Sequence, residues 1–274
     1  MAAIETILEL LSLTFMYRAM IVGLLVSLCA ALLGVNLVLK RYAMIGTGLS
    51  HIGFAAMATA GVVDIAPLAL SMPLVVIAAF VLLRLNENSK IKGDSAVALI
   101  STSGLAIGVL ITSATTGLTL HICSVMFGSI FAMTSLDTQI SIVLSITVVS
   151  LFVIFYKQLF AVTYDETFAK ATGTNVELYK SLLAILTAVT VVLGMRMMGA
   201  LLIASLTLFP ALSAMRICKR FITVVITAAI IGILSFFIGM IISMLYDLPP
   251  GACVVGVNLA IFIIFSSIGL IRSR

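Results

Sequence analysis

The stretch Ile21–Leu39, IVGLLVSLCAALLGVNLVL, decides the fold class. It carries no charged side chain. As a helix rising about 1.5 Å per residue, it matches a bilayer hydrocarbon core about 30 Å thick. Its apolar residues do not alternate, which argues against a strand of a membrane barrel. Lipid offers no partner to open backbone groups, so the segment must be a helix. Phe221–Leu245 has the same character. Across the chain 63% of residues are hydrophobic and 9% charged, with a mean hydropathy of +1.34. Soluble domains carry about 25% charged residues. The chain is therefore an all-α, polytopic transmembrane helical bundle.

Spans are predicted at 16–39, 43–61, 65–84, 94–115, 137–156, 181–196, 198–215, 221–245 and 252–271. This makes about nine, or eight if 181–215 crosses once. Two crossings fit better there, because Lys180 precedes the stretch and Arg216, Lys219 and Arg220 follow it. Gly194 and Gly199 around Arg196 would form the tight turn. Nine spans place Lys40, Arg41, Arg84, Lys90, Lys92, Lys157, Lys170, Lys180, Arg216, Lys219, Arg220, Arg272 and Arg274 on one side. Arg18, Arg196, Asp64, Asp137 and Asp247 fall on the other. Basic loops stay in the cytoplasm, so the N-terminus is expected outside and the C-terminus inside. The net charge of +5 is this asymmetry and calls for no nucleic-acid partner. Met1–Ser12 carries Glu5 and Glu9 and no basic residue, so it reads as a surface amphipathic helix rather than a signal peptide. Cys29, Cys123, Cys218 and Cys253 are far apart and read as small core residues.

Several segments are not plain spans. Between Lys157 and Lys180, the run Tyr164–Gly173 reads as a short helix in a cytoplasmic loop. Asp165 and Glu166 suit its positive end, Lys170 its last turn and Gly173 its cap. Phe168 and Ala169 give it a less polar face, as in a docking helix for a cytoplasmic partner or a helix that merely caps the bundle. Met44–Gly53 brings three glycines, two hydroxyls and a histidine into an apolar run. Thr47 and His51 are four apart and share a helical face, and neutral imidazole suits first-row divalent metals. A histidine bonded to a neighbouring helix is the plainer reading of the same residues. Gly104 and Gly108 fit a packing seam. Pro210 removes one helical bond, with the hydroxyls of Thr207 and Ser213 near enough to re-satisfy the backbone. Leu118–Ser135 is expected at the outer surface. His121 within it is isolated, and the scattered methionines fill packing. The chain has no G-x-x-x-x-G-K-[ST] phosphate loop and no nucleophile–base constellation, which argues against an enzyme.

Four motifs in order resemble the membrane permeases of ABC importers for zinc, manganese and iron, the ABC-3 family. RYAMIGTGLSH at 41–51 resembles that family's R-x-x-x-x-G-D-x-x-S-H, and VMFGSI at 125–130 its Y-L-F-G-S-I-L. YDETFAKATGTNV at 164–176 is similar to D-E-E-x-A-x-x-x-G-V, and GALLIASLTLFPALSAMR at 199–216 to G-x-L-L-x-x-A-L-L-x-x-P-A-A-x-A. The resemblance spans roughly residues 16 to 271. It implies one permease domain over 1–274, with 157–180 as its cytoplasmic coupling loop, in a bacterial inner membrane. It implies a metal site at His51, with Thr47 as a weak ligand and Ser50 and Pro210 beside the pore. ATPase contact would fall on Asp165, Glu166, Phe168, Ala169, Lys170 and Gly173. The implied partners are a dimer of cytoplasmic ATPase subunits, a second permease chain (identical or paralogous) and an external metal-binding protein. The metal is cargo, and no permanently bound cofactor is expected. The sequence departs from the family at Thr47, where aspartate is usual; a hydroxyl is a weaker ligand for a dication. An unequal pair, in which a different permease chain supplies the carboxylate, would restore it. The rival reading is a gradient-driven secondary transporter, which usually places carboxylates at the midplane. Asp64, Asp94, Asp137 and Asp247 all sit at span ends instead.

Overall fold

The computed structural model describes residues 14–88, 93–114 and 135–272. The segment 1–12 expected as a surface helix, the 125–130 motif, His121 and most of 118–135 lie outside these. The chain forms α1 (Thr14–Leu39), α2 (Ile45–Val63), α3 (Pro67–Asn88), α4 (Gly93–Ala114) and α5 (Ser135–Ile154). Two short helices follow, α6 (Tyr156–Tyr164) and α7 (Glu166–Ala171). The rest is α8 (Val176–Met198), α9 (Ala200–Ile217), α10 (Phe221–Tyr246) and α11 (Pro250–Arg272). Among the described residues, eight helices are long and apolar enough to cross a membrane. The apolar part of α3 is shorter, Pro67–Leu83, and contains Pro73.

Stretch 181–215 falls in two helices, α8 and α9, as expected. The break is one residue, Gly199, at φ 86° and ψ 159°. A side chain is rarely tolerated at that backbone angle. Gly194 is not part of the turn. It lies inside α8 against Ile203 of α9, where a β-carbon would collide with that side chain. The acidic residues at helix ends have structural work: Asp64 and Asp247 close α2 and α10 in the left-handed conformation, at φ 57° and 50°.

The centre of the bundle is α1, which packs on α5, α8, α9 and α10. Its Val22, Val26 and Ala30 join Leu49, Phe54, Met195, Ile203, Leu206 and Phe236 in one buried core. A second cluster toward the other end of α1 holds Leu33, Val35, Phe152, Leu159 and Leu183. The seam expected at Gly104 and Gly108 joins α4 to α2. A β-carbon at Gly104 would stand 3.1 Å from the Ile52 backbone nitrogen, and one at Gly108 would meet the Phe54 ring at 2.5 Å. Close backbone approach of this kind replaces hydrophobic driving force, which lipid does not supply.

Candidate functional site

The α2 helix carries the histidine. Its ring Nδ1 lies 2.7 Å from the Ser101 hydroxyl of α4, which the glycine seam brings close. Among the described residues Nε2 has no hydrogen-bond partner, and His51 and Thr47 are both half-buried on one face of α2. A histidine tied through one nitrogen keeps its ring orientation and offers the other to a cation. The sequence reading missed Ser101, fifty positions away. Ser50 belongs elsewhere: it is fully buried, and its hydroxyl donates to the Thr47 carbonyl at 2.8 Å. Successive helical residues point about 100° apart, so Ser50 is turned toward the packed side of α2, away from the half-buried His51.

Pro210 is buried in α9. Thr207 does not re-satisfy the carbonyl freed by the proline; its hydroxyl donates to Ala204 at 2.8 Å. The Ser213 hydroxyl is buried without a partner. One turn before Pro210, α9 is clasped at Thr207. Gly34 of α1 sits against the Thr207 carbonyl so closely that a β-carbon would overlap it, and Gly46 of α2 faces its hydroxyl. Thus α1 and the start of α2 meet on the same residue of α9.

The expected short helix is α7. Asp165 caps it by accepting from the Thr167 N–H at 2.9 Å and the Phe168 N–H at 3.0 Å. The Thr167 hydroxyl and the Phe168 N–H hold the Asp165 carboxyl below its ordinary value. Gly173, at φ 81°, ends the helix: its N–H bonds Lys170, and the Thr174 N–H bonds Ala169. This is the glycine-terminated helix end that the sequence predicts.

Two of the expected contact residues face inward. Ala169 is fully buried with Val162 and Val176, so it anchors α7, while Phe168 on the other side is exposed. Lys170 and Gly173 are exposed. Glu166 does not simply face water. It joins Lys40, just past α1, at 3.0 Å and Lys180 of α8 at 2.5 Å, and the two lysine side chains are only 5% and 8% exposed. Partial burial pushes the Glu166 carboxyl up, but its bonds from Lys180 and Lys40 outweigh this and hold it below its ordinary value. The preceding helix is tied in too: the Thr163 hydroxyl of α6 donates to Asn36 of α1 at 3.1 Å. At the far end of α8, Arg196 grips Asp137 of α5 through two bonds of 2.7 and 2.8 Å.

A bundle of apolar spans with one polar, glycine-lined helix and a tethered surface helix pair is the plan of a multi-pass membrane transport protein. The chain belongs to the ABC 3 transport family, which it matches over residues 12–269. It is a permease of the ABC-importer class. It is 25% identical to the manganese transport system membrane protein MntC of Halalkalibacterium halodurans, over 93% of this chain and 87% of that one. It is 29% identical to the high-affinity zinc uptake system membrane protein ZnuB of Haemophilus influenzae, over 91% and 95%. A probable iron transport system membrane protein of Haemophilus influenzae is 30% identical over 98% and 99%. The solved structure of PsaBC from Streptococcus pneumoniae in complex with Fab superimposes with a TM-score of 0.84 at 25% identity, covering 95% and 94% of the two chains.

Proposed function

We propose that this permease carries a divalent transition metal ion into a bacterial cell across the inner membrane, driven by ATP hydrolysed on separate subunits. The observation that carries the reading is His51: a half-exposed imidazole within a span, held at Nδ1 by Ser101 and open at Nε2. Ionisable groups at that depth are costly and mark ion pathways. The relatives named for manganese, zinc and iron support a metal as the cargo.

In this reading the N-terminus lies outside, and the end bearing Lys40, Glu166 and Lys180 faces the cytoplasm. An external metal-binding protein releases one ion to a path shared by two permease chains. His51 takes it through Nε2, and Thr47 adds a weak neutral oxygen. Such a donor set holds a dication briefly, which transport requires, because a tight site would stall release. The missing carboxylate favours an unequal pair with a second, different permease chain. Haemophilus influenzae has two relatives under the same iron-transport description, at 30% and 29% identity, which is what an unequal pair needs.

A dimer of cytoplasmic ATPase subunits docks on α7 through Phe168, Lys170 and the turn at Gly173. Asp165 keeps that helix formed. Glu166 passes its displacement to α1 through Lys40 and to α8 through Lys180. From α1 the route continues at Gly34 to Thr207 of α9, and from Thr207 to Gly46, beside Thr47 and one helical turn from His51. Motion at α7 thereby reaches the metal face through packed backbone.

The test is accumulation of zinc, manganese and iron, each limited in turn, in cells carrying His51→Ala with normal membrane levels of the protein. Loss of uptake for one of the metals is expected. Unchanged accumulation of all three overturns the reading.

A further inference from the structure

Where α9 gives way to α10, the chain turns through Cys218 and Lys219 and leaves a cavity of about 620 Å³. Arg216, Lys219, Arg220 and Thr223 line it from the α9–α10 corner, and Gly269 of α11 forms the opposite wall. All three cations are exposed, and among the described residues none has an acidic partner within ion-pairing distance. Elsewhere in the fold the basic side chains of Lys40, Lys180 and Arg196 are each held by a carboxylate. Loop residues on the basic side of a membrane protein usually serve only orientation. This group differs in lining one open hollow together. The Arg216 guanidinium stands 5.9 Å over the Phe262 ring of α11, a cation–π placement that fixes its stem. Gly269 lets α11 come close enough to close the wall: a β-carbon there would lie 3.0 Å from the Arg216 carbonyl oxygen. No side chain caps the start of α10, where Arg220 is the N-cap residue, so its first backbone N–H groups add to the positive field.

Next along α10 and α11 from the lining residues Thr223 and Gly269, the exposed side chains are apolar. Ile222 and Ile226, one turn apart on α10, are 53% and 54% exposed, and Ile268 and Ile271 of α11 are 44% and 76% exposed. A cationic hollow at the ends of spans, with exposed isoleucines next to it on both helices, matches a molecule with an anionic head and hydrocarbon tails. A soluble anion would use the cations and leave the isoleucines unexplained.

We propose that this cavity binds the phosphate headgroup of an anionic phospholipid, with its acyl chains lying along the α10 and α11 isoleucines. The head sits among Arg216, Lys219 and Arg220, and the Thr223 hydroxyl lies beside it. The proposal rests on the chain being a membrane protein and is independent of which ion it carries. Unchanged metal accumulation in the His51 variant, which overturns the proposed function, would leave it standing.

The experiment measures lipid retained by the full-length purified protein, by native mass spectrometry, after equilibration in mixed micelles of phosphatidylcholine and phosphatidylglycerol. Retention of phosphatidylglycerol over phosphatidylcholine is expected. Each basic residue near an anionic headgroup is worth about fivefold, so Arg216→Gln should weaken the preference about fivefold and the triple glutamine variant on the order of a hundredfold. Thr223→Phe narrows the hollow and leaves all three cations, so it too should lose the preference if a site rather than general surface charge is responsible. Should the triple variant not fold, the single variant and Thr223→Phe carry the test. Equal retention of the two lipids, or an unchanged preference in Thr223→Phe and Arg216→Gln, overturns the proposal. Displacement by inorganic phosphate overturns it in favour of a soluble anion. Loss of retained lipid on adding the ATPase subunit would assign the face to a protein partner instead.

Discussion

Glu166→Gln preserves the shape of α7 and removes the charge between Lys40 and Lys180. Removing one partner of a fully buried pair costs about 3–5 kcal/mol, whereas an exposed pair is worth about 0.2–1 kcal/mol. The two lysines are nearly buried, but the glutamate side chain is 38% exposed, so solvent screens part of the interaction. A cost of about 2 kcal/mol lies between these limits. It should fall on the tether rather than on the spans. Amide hydrogen exchange in Thr167–Thr174 should therefore quicken about thirtyfold, since about 1.4 kcal/mol is a factor of ten in a local opening equilibrium. Lys40→Met should loosen the same segment, because it breaks the same bridge from the other side. Acid provides a second handle. The folded carboxyl titrates below its ordinary 4.5, so its contribution is complete above that pH and is lost as pH falls through the folded value. Protection of α7 should drop with acid in the native protein, and the Glu166-dependent part of that drop should vanish in Glu166→Gln. Exchange that is unchanged in both variants would refute the tether, and with it the route from α7 into α1 and α8.

Ser101→Ala releases the His51 ring, and loss of such a support typically costs 10–100-fold in metal affinity; uptake assays at limiting metal should show a raised half-saturation with normal protein levels, and Ser101→Thr should restore it. Gly34→Ala places a methyl group onto the Thr207 carbonyl and should cost about 1–3 kcal/mol through overpacking, read as lower thermal stability of the purified chain. Arg196→Lys should not replace Arg196, because an ammonium cannot make the two parallel bonds to Asp137; a charge-assisted bond is worth about 1.5–3 kcal/mol, and the loss should appear as faster exchange at the start of α5.

The helical membrane bundle was legible because hydrocarbon leaves the backbone a single option. The two ends of α7 were legible because capping is local: Asp165 and Gly173 act within three or four residues of themselves. The break at Gly199 was legible from charge at the far ends of 181–215, although Gly194 proved to be a packing residue. What could not be read were pairings between distant positions. Glu166 finds Lys40 from 126 residues away, Ser101 finds His51 across 50, and Asp137 finds Arg196 across 59. Nothing in local pattern selects these partners. Ser50 is a different case. Its neighbour His51 already set the helical phase, and about 100° per residue turns Ser50 into the core.

A six-residue helix has too few backbone bonds to persist in water unaided. In α7 the start is closed by Asp165 and tethered by Glu166, the end is closed by Gly173, and Ala169 pins the packed face. An ATPase subunit docking at Phe168, as proposed, would therefore meet a finished surface. Little conformational freedom remains to be surrendered on contact, so the encounter can be both quick and specific while staying weak enough to be broken again in every cycle.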